Sequence, residues 1–203
     1  MINCIVREDV DAALHRYVSP RQRAQKTLEL LELGCHDRLP WTKVDDSNKL
    51  EKSDLLQNAK VQVSEDVREW DYGDYEGVTS ETIAELRKKN GERAWDIWQD
   101  GCPGGESPMQ VTERLDRVIK EIREKFQSRA IENNHEKGDV VVVAHGHILR
   151  AFAIRWIGRE LTDRAHLLLE AGGVGILSYE HGKIDEPAIL LGGSFMTDIV
   201  EKT

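Results

Sequence analysis

Four consecutive valines, Val140–Val143, form the most informative segment of the chain. An unbroken run of β-branched residues is typical of a central parallel strand that is covered on both faces, because neither side of such a strand meets water. Apolar residues at helical spacing predict a long amphipathic helix from Ser107-Pro108 to Phe126, and a further helix is predicted over Ile148–Ile157. A buried strand between two helices indicates an α/β protein with a layered sheet.

Caps, periodicity and turn residues predict the remaining elements. Leu14–Val18 is predicted as a strand, and Ser19 and Pro20 after it suit the N-cap and the first residue of a helix. The other predicted elements are a strand at Val61–Val63, a helix capped at Thr79 or Ser80, and a closing strand pair at Gly175–Tyr179 and Ala188–Leu191 with His181-Gly182 at its turn. We therefore predict one α/β domain over residues 1–203: three layers, with a mostly parallel sheet, helices on both faces and an abbreviated N-terminal segment.

The charge of the chain bears on its partners. Lysine and arginine number 28 against 37 aspartate and glutamate residues, which gives a net charge of −9. An acidic chain is a poor candidate for binding nucleic acid or an anionic membrane, and the longest apolar run is too short to cross a bilayer. Three cysteines without CxxC spacing and a charged N-terminal stretch favour a cytoplasmic protein with reduced thiols. We expect no nucleic acid and no membrane as partners.

Polar residues stand at the predicted junctions between strands and helices, where open α/β sheets bind their ligands. Arg23 lies in the first turn of a predicted helix, where free N–H groups and a guanidinium suit a phosphoryl group. His145 follows the valine strand and precedes a glycine, so it can approach such an anion closely. Glu69 lies among aromatic residues, and apolar surroundings raise the pKa of a carboxyl group toward that of a general acid. We expect Arg23 and His145 to face one pocket, with Glu69 on its rim.

Each of these residues has a plainer interpretation. Taken singly, Arg23 is more often a solvated helix charge, His145 a hydrogen-bonded strand-end histidine, and Glu69 a surface carboxylate. Their occurrence together in one α/β domain favours an anion site. His145 and His147 could also form a metal pair, because alternate strand residues share a face, but no third ligand follows at motif spacing. We expect no metal and no other cofactor.

Several motifs carry a family resemblance. Ser19-Pro-Arg-Gln-Arg23-Ala, Arg68-Glu69-Trp-Asp-Tyr-Gly-Asp-Tyr-Glu-Gly77 and Ala144-His145-Gly-His-Ile-Leu-Arg150 resemble the histidine phosphatase superfamily, the proteins with a phosphoglycerate-mutase-like fold. Further segments are similar to the fungal sedoheptulose-1,7-bisphosphatase branch: Trp95–Cys102, Gly105–Ser107, Ala171–Tyr179 and Ile184–Pro187. The resemblance extends from Ser19 to about Phe195.

The resemblance implies a metal-independent phosphatase of a small sugar phosphate or bisphosphate, with sedoheptulose-1,7-bisphosphate as the best candidate. In this family the histidine of an Arg-His-Gly motif attacks phosphorus and becomes a phosphohistidine. A second histidine and two arginines hold the phosphoryl oxygens, and a carboxylic acid protonates the leaving alkoxide. Carried over by position, His145 matches the second histidine, Arg23 the helix arginine and Glu69 the acid. The resemblance implies no metal.

The chain departs from the family at the nucleophile, because it contains no Arg-His-Gly. Cys4–Arg7 resembles the strand before that motif, which makes Arg7 a further candidate for the phosphate site, but Glu8 stands where the histidine belongs. Arg7 and Ser19 are only twelve positions apart, where the family has a much longer segment. We therefore expect that a block is missing and that this chain is nearly inactive. The alternative is a non-catalytic phosphate-binding protein or an inactive truncated product on the same fold; a phosphoglycerate mutase fits the local motifs less well.

Overall fold

The structure, a computed structural model, describes residues 15–31, 39–41, 60–132, 138–163 and 165–191. Its main sheet has three parallel strands: β1 (His15–Val18), β2 (Val61–Val63) and β3 (Val140–Val143). An antiparallel pair is formed by β4 (Ile176–Tyr179) and β5 (Pro187–Leu190). The α-helices of the described residues are α1 (Gln22–Leu31), α2 (Ser80–Lys89), α3 (Ile97–Asp100), α4 (Pro108–Ile122), α5 (Ser128–Glu132) and α6 (Gly146–Trp156).

Short helical turns connect these elements. A π-helical turn at Arg123–Gln127 joins α4 to α5. Single 3₁₀ turns lie at Glu65–Val67, Gly73–Tyr75, Leu161–Asp163 and Glu180–Gly182. The last of them lies between β4 and β5 and contains the predicted turn residues His181 and Gly182, both with positive φ. The predicted closing strand pair is therefore confirmed.

The strand order of the main sheet is β2-β1-β3. Tyr17 of β1 is in register with Gln62 of β2 and with Val142 of β3. The valine run therefore forms a parallel strand, as predicted, but β1 and not β3 is the middle strand of the described sheet. Helices cover both faces of β3, which accounts for its unbroken run of apolar residues. Within the described residues, β3 pairs with one strand, β1.

Alternate residues of the strands enter two separate hydrophobic clusters. Val18, Val141 and Val143 pack with Ala24 and Leu28 of α1 on one face of the sheet. The other face contributes its strand residues to the larger cluster, which α4 and α6 complete: Tyr17, Val140, Leu115, Val118, Ile148 and Phe152. Burying one such aliphatic side chain contributes about 1.5–3 kcal/mol. Helices on both faces of a parallel sheet make three layers, which confirms the predicted phosphoglycerate-mutase-like architecture.

The two Ser-Pro dipeptides behave differently. Ser107 caps α4 as predicted, with its hydroxyl and the Gln110 side chain forming a reciprocal capping box. Ser19 does not cap α1, which begins later, at Gln22. The backbone N–H of Ser19 instead donates to the carbonyl of Val143 at 3.0 Å, so Ser19 continues the ladder between β1 and β3. The prediction for Ser19 was wrong because a long-range pairing holds its backbone in the sheet.

The remaining predictions divide between confirmed elements and undescribed residues. Thr79 is the N-cap of α2, and its side chain accepts a hydrogen bond from the backbone N–H of Thr82. Arg7 and the segment Cys4–Arg7 lie outside the described residues. Within the described ranges, no helix combines the length and the apolar composition that crossing a bilayer would require.

Candidate active site

Arg23 and His145 meet at the carboxyl end of the sheet. β1 and β3 are direct neighbours, so the residues that follow them emerge side by side. Arg23, in the first turn of α1, donates from Nε to Nδ1 of His145 at 3.0 Å. His145 is buried, whereas Arg23 is exposed. The structure therefore brings these two predicted site residues into direct contact, as the strand-end argument anticipates.

Ser19 completes the contacts of the His145 ring. Its Oγ lies 2.7 Å from Nε2 of His145, and both side chains are buried. The same oxygen accepts a hydrogen bond from the backbone N–H of Arg21 at 3.3 Å. Sequence reasoning assigned Ser19 to a helix cap and missed this contact. The available signal was its position directly after a strand, at the edge where the other site residues were expected.

His145 is an uncharged group at neutral pH. Burial lowers its pKa most, and the guanidinium groups of Arg23 and Arg21 lower it further, to about 4. A neutral imidazole has one N–H donor and one lone pair, which determines how it can contact an anion. His145 thus differs from the permanently charged arginines beside it.

Glu69 is bound to the start of α6 rather than standing on an open rim. It is 8% exposed, and its Oε1 accepts from the backbone N–H groups of Trp70 at 3.0 Å and Ile148 at 3.1 Å. The expectation of a rim position was wrong, because the N–H groups of a helix start draw a carboxylate inward. Burial raises the pKa of Glu69, while the backbone N–H groups and the charge of Arg23 oppose this rise.

A buried ion-pair network holds the loop that carries Glu69. Arg114 of α4 binds both carboxylate oxygens of Glu106 at 2.8 and 2.9 Å, and Arg68 binds the same carboxylate at 2.8 Å. Glu106 in turn accepts from the backbone N–H of Asp71, two residues beyond Glu69. The loops also touch closely, since a Cβ on Gly105 would lie 2.2 Å from the carbonyl oxygen of Asp71. Glu69 is therefore anchored on both sides of its loop.

His147 faces different partners from His145. Its Nδ1 lies 2.7 Å from the hydroxyl of Tyr72, and its ring packs 5.9 Å from that of Trp98. Burial, followed by the charge of Arg150, lowers the pKa of His147 to about 4. The two histidines therefore do not converge as a metal pair. Among the described residues, the group with metal-ligand geometry consists of the exposed Glu180 and His181 and the half-buried Glu186 beside β5, and it includes neither His145 nor His147.

Comparison with known proteins identifies the family to which this chain belongs. Residues 51–188 match the family model described as "Histidine phosphatase superfamily (branch 1)". The chain is 35% identical to sedoheptulose 1,7-bisphosphatase of Saccharomyces cerevisiae over 230 positions, which cover 95% of this chain and 78% of that protein. It is also 38% identical to an acid phosphatase of Mycobacterium tuberculosis over 114 positions, or 56% of this chain and 49% of the relative.

Solved structures show the same fold. The protein of open reading frame Rv3214 from Mycobacterium tuberculosis superposes with a TM-score of 0.57 at 28% identity, covering 88% of this chain and 70% of that one. An alpha-ribazole phosphatase from Shigella flexneri has a TM-score of 0.55 at 21% identity, covering 90% and 74% of the two chains, and shows the fold alone. The two relatives named above are phosphatases. Because the family model, the relatives and the fold agree, the chain belongs to the histidine phosphatase superfamily.

Proposed function

We propose that this chain carries the phosphate-binding and proton-donating half of a metal-independent phosphatase for a sugar phosphate or bisphosphate. Sedoheptulose-1,7-bisphosphate is the best candidate substrate, because the relative that covers 95% of the chain is named for it. The observation that carries the proposal is the 3.0 Å contact between Arg23 and His145 at the carboxyl ends of two neighbouring strands. A guanidinium and an imidazole at such a place suit a phosphoryl group.

Arg23 and His145 bind the phosphoryl oxygens in this proposal. Arg23 presents a planar fork of N–H donors from the first turn of a helix, which suits the oxygens of a phosphoryl group. His145 adds a buried ring held between Arg23 and Ser19. Arg7 joins the same set as a proposed phosphate ligand, on the resemblance of Cys4–Arg7 to the first strand of the family.

Glu69 is the proposed general acid. Burial raises the pKa of its carboxyl group, which keeps a proton available closer to neutral pH. Oε1 accepts from the backbone N–H groups of Trp70 and Ile148, and the backbone N–H of His147 also bonds to this carboxyl group. The proton of Glu69 passes to the leaving alkoxide as the bond between phosphorus and oxygen breaks. The sugar product then departs with a neutral hydroxyl group in place of the phosphate ester.

The nucleophile is the missing part. The chain contains no Arg-His-Gly, so no residue matches the histidine that forms the phosphohistidine. The alignment with the yeast relative spans 230 positions but includes only 95% of the 203 residues of this chain, so residues of the relative have no counterpart here. This is consistent with a block that is absent from this chain. Without the covalent step that splits hydrolysis in two, we expect this chain to be nearly inactive.

We extend the proposal to the whole chain and its setting. Residues 1–203 form one domain, and the setting of the protein is the cytoplasm, with a small sugar phosphate as its ligand and without nucleic acid or a membrane as a partner. The acidic charge of −9 and three cysteines without disulfide spacing support this setting.

The second candidate is a non-catalytic phosphate-binding protein on the same fold. The absence of Arg-His-Gly favours it, because the residues for binding are present while the nucleophile is not. The two candidates predict the same anion site and differ in whether a restored nucleophile block gives turnover, since fold alone does not determine function.

One experiment tests both candidates. The 203-residue chain is compared with a variant into which a block with an Arg-His-Gly motif, as the family resemblance implies, is grafted between Arg7 and Ser19. We expect both proteins to bind inorganic phosphate, and only the grafted protein to release phosphate from sedoheptulose-1,7-bisphosphate and to form an acid-labile phosphoenzyme. Absence of phosphate binding in both would contradict the proposed site. Turnover by the ungrafted chain that His145→Ala abolishes would make His145 itself the nucleophile.

A further inference from the structure

We propose that Ser19 is a positioning residue for His145. Its hydroxyl oxygen accepts the proton of Nε2 and so holds the imidazole with the Nδ1 lone pair toward Arg23. The inference concerns the free protein and depends on the proposed function only for the identity of the ligand.

The hydrogen-bond chemistry of the ring assigns its tautomer. An arginine N–H can only donate, so Nδ1, which lies 3.0 Å from Nε of Arg23, must be the acceptor. The single proton of the neutral imidazole is then on Nε2, 2.7 Å from Oγ of Ser19. Ser19 therefore acts as the acceptor in this contact. One ring nitrogen fixes the role of the other, as in other sites where a partner sets a histidine tautomer.

Ser19 is well suited to hold the ring because its own position is fixed. Its side chain is fully buried, and its backbone N–H donates to the carbonyl of Val143 at 3.0 Å, next to the residues that lead into His145. Its hydroxyl oxygen also accepts from the backbone N–H of Arg21 at 3.3 Å. The carbonyl of His145 accepts from Leu149 of α6 at 2.9 Å. Ser19 and His145 thus join two neighbouring strand ends through rigid backbone.

This orientation has a consequence for anion binding. An oxygen of a bound anion cannot approach the Nδ1 lone pair favourably, so the ring must gain a proton at Nδ1 before it can donate to that oxygen. The proton on Nε2 stays with Ser19 throughout. The positive charges of Arg23 and Arg21 disfavour a protonated His145 in the free protein. The charged group that faces Arg23 from the neighbouring loop is Glu69, which interacts with it electrostatically. A bound dianion offsets the arginines, so binding takes up a proton at His145.

Nitrogen NMR of the histidine rings tests the tautomer directly. In the chain labelled with ¹⁵N-histidine, two-bond ¹H–¹⁵N correlations distinguish a proton on Nε2 from one on Nδ1, and His145→Asn identifies the signal. We expect the Nε2–H form at pH 7, an altered Nε2–H resonance in Ser19→Ala, where that proton loses its acceptor, and recovery of the original resonance in Ser19→Thr, which keeps a hydroxyl. An Nδ1–H form of the His145 ring in the unmodified chain would overturn the proposal. Unchanged ring signals in a folded Ser19→Ala protein would also overturn it.

Sulfate titrations separate this inference from the proposed function, because sulfate is a dianion without a titratable proton near pH 7. Calorimetry in buffers of different ionisation enthalpy should show uptake of about one proton on binding. Ser19→Ala should weaken binding about threefold to tenfold, the effect of one hydrogen bond, while Ser19→Thr should restore it. Sulfate binding without proton uptake would contradict the role of Ser19. If the NMR result holds but the unmodified chain binds no sulfate, the tautomer assignment stands and the proposed anion site fails.

Discussion

Oε1 of Glu69 lies 3.1 Å from the backbone nitrogen of Ile148, so the candidate acid is hydrogen-bonded to the first turn of the helix that His145 caps. Glu69 and His145 are distant in sequence, and both are held at the start of the same helix, α6. Packing of Ile148 in the main core fixes that turn. The separation of acid and anion-binding groups is therefore set by the core and does not depend on a mobile loop.

Acid should destabilise the protein through His145 and His147, whose pKa values are lowered by burial of their rings. The folded-state pKa of His145 and His147 is about 4, below the unfolded value of 6.5. Between these values the unfolded chain binds more protons, so the free energy of unfolding falls as pH falls, by at most about 3 kcal/mol per histidine. Urea denaturation at pH 7 and at pH 5 measures this. His145→Asn and His147→Gln should each flatten the pH dependence, and the same slope in the double variant would contradict the assignment.

Loss of the Arg23 guanidinium should weaken anion binding. Arg23→Ala removes a charge-assisted donor, which costs about 1.5–3 kcal/mol and corresponds to a reduction in phosphate affinity of roughly tenfold or more. Arg23→Lys keeps the charge but not the planar fork, so its phosphate affinity should lie between those of the unmodified chain and Arg23→Ala. Titration calorimetry with inorganic phosphate gives these affinities. Arg117→Ala is the matched control, because Arg117 is exposed and binds Asp66; equal effects of the two alanine variants would place the site elsewhere.

The fold was predictable wherever local chemistry decides it. The valine strand and the Ser107 cap depend on residues that are adjacent in sequence, and both were predicted correctly. Strand order was not, because the central place of β1 arises from pairing with Val61–Val63 and with Val140–Val143 far along the chain. Ser19 shows the same limit, since its long-range bond to Val143 overrides a dipeptide that suits a helix start.

The candidate site was likewise predictable from the sequence only in part. Strand-end position was sufficient to predict that Arg23 and His145 would meet. The aromatic surroundings of Glu69 indicated a raised pKa, and burial does raise it. That the carboxylate would bind the N–H of Ile148 could not be read from either segment alone. The contact of Ser19 with His145 likewise becomes visible only once the two strands are side by side.

The Glu106 network should contribute substantially to stability. Arg114→Met leaves a buried carboxylate with Arg68 as its remaining charged partner, and breaking a buried pair in this way costs about 3–5 kcal/mol. Arg117→Met removes an exposed pair with Asp66 and should cost less than about 1 kcal/mol. Chemical denaturation compares the two variants. Equal losses of unfolding free energy would show that burial does not determine the strength of these pairs here.

The role of Glu69 should appear in its dependence on the leaving group. In the grafted protein, Glu69→Gln should lower the rate of phosphate release from sedoheptulose-1,7-bisphosphate by about 10²–10⁴-fold, the usual contribution of a general acid. An alkoxide is a poor leaving group and needs the proton, whereas the nitrophenolate of p-nitrophenyl phosphate departs without one. The same variant should therefore retain most of its activity on the nitrophenyl ester.

Glutamine is the appropriate replacement because its amide oxygen can still accept from the N–H groups of Trp70 and Ile148, which preserves the start of α6. Near-native unfolding free energy of Glu69→Gln would confirm that the loop is intact. Equal losses of rate on both substrates would then mean that Glu69 orients the site without donating a proton. A loss confined to the sugar phosphate assigns the proton transfer to its carboxyl group, since only that reaction requires protonation of the departing oxygen.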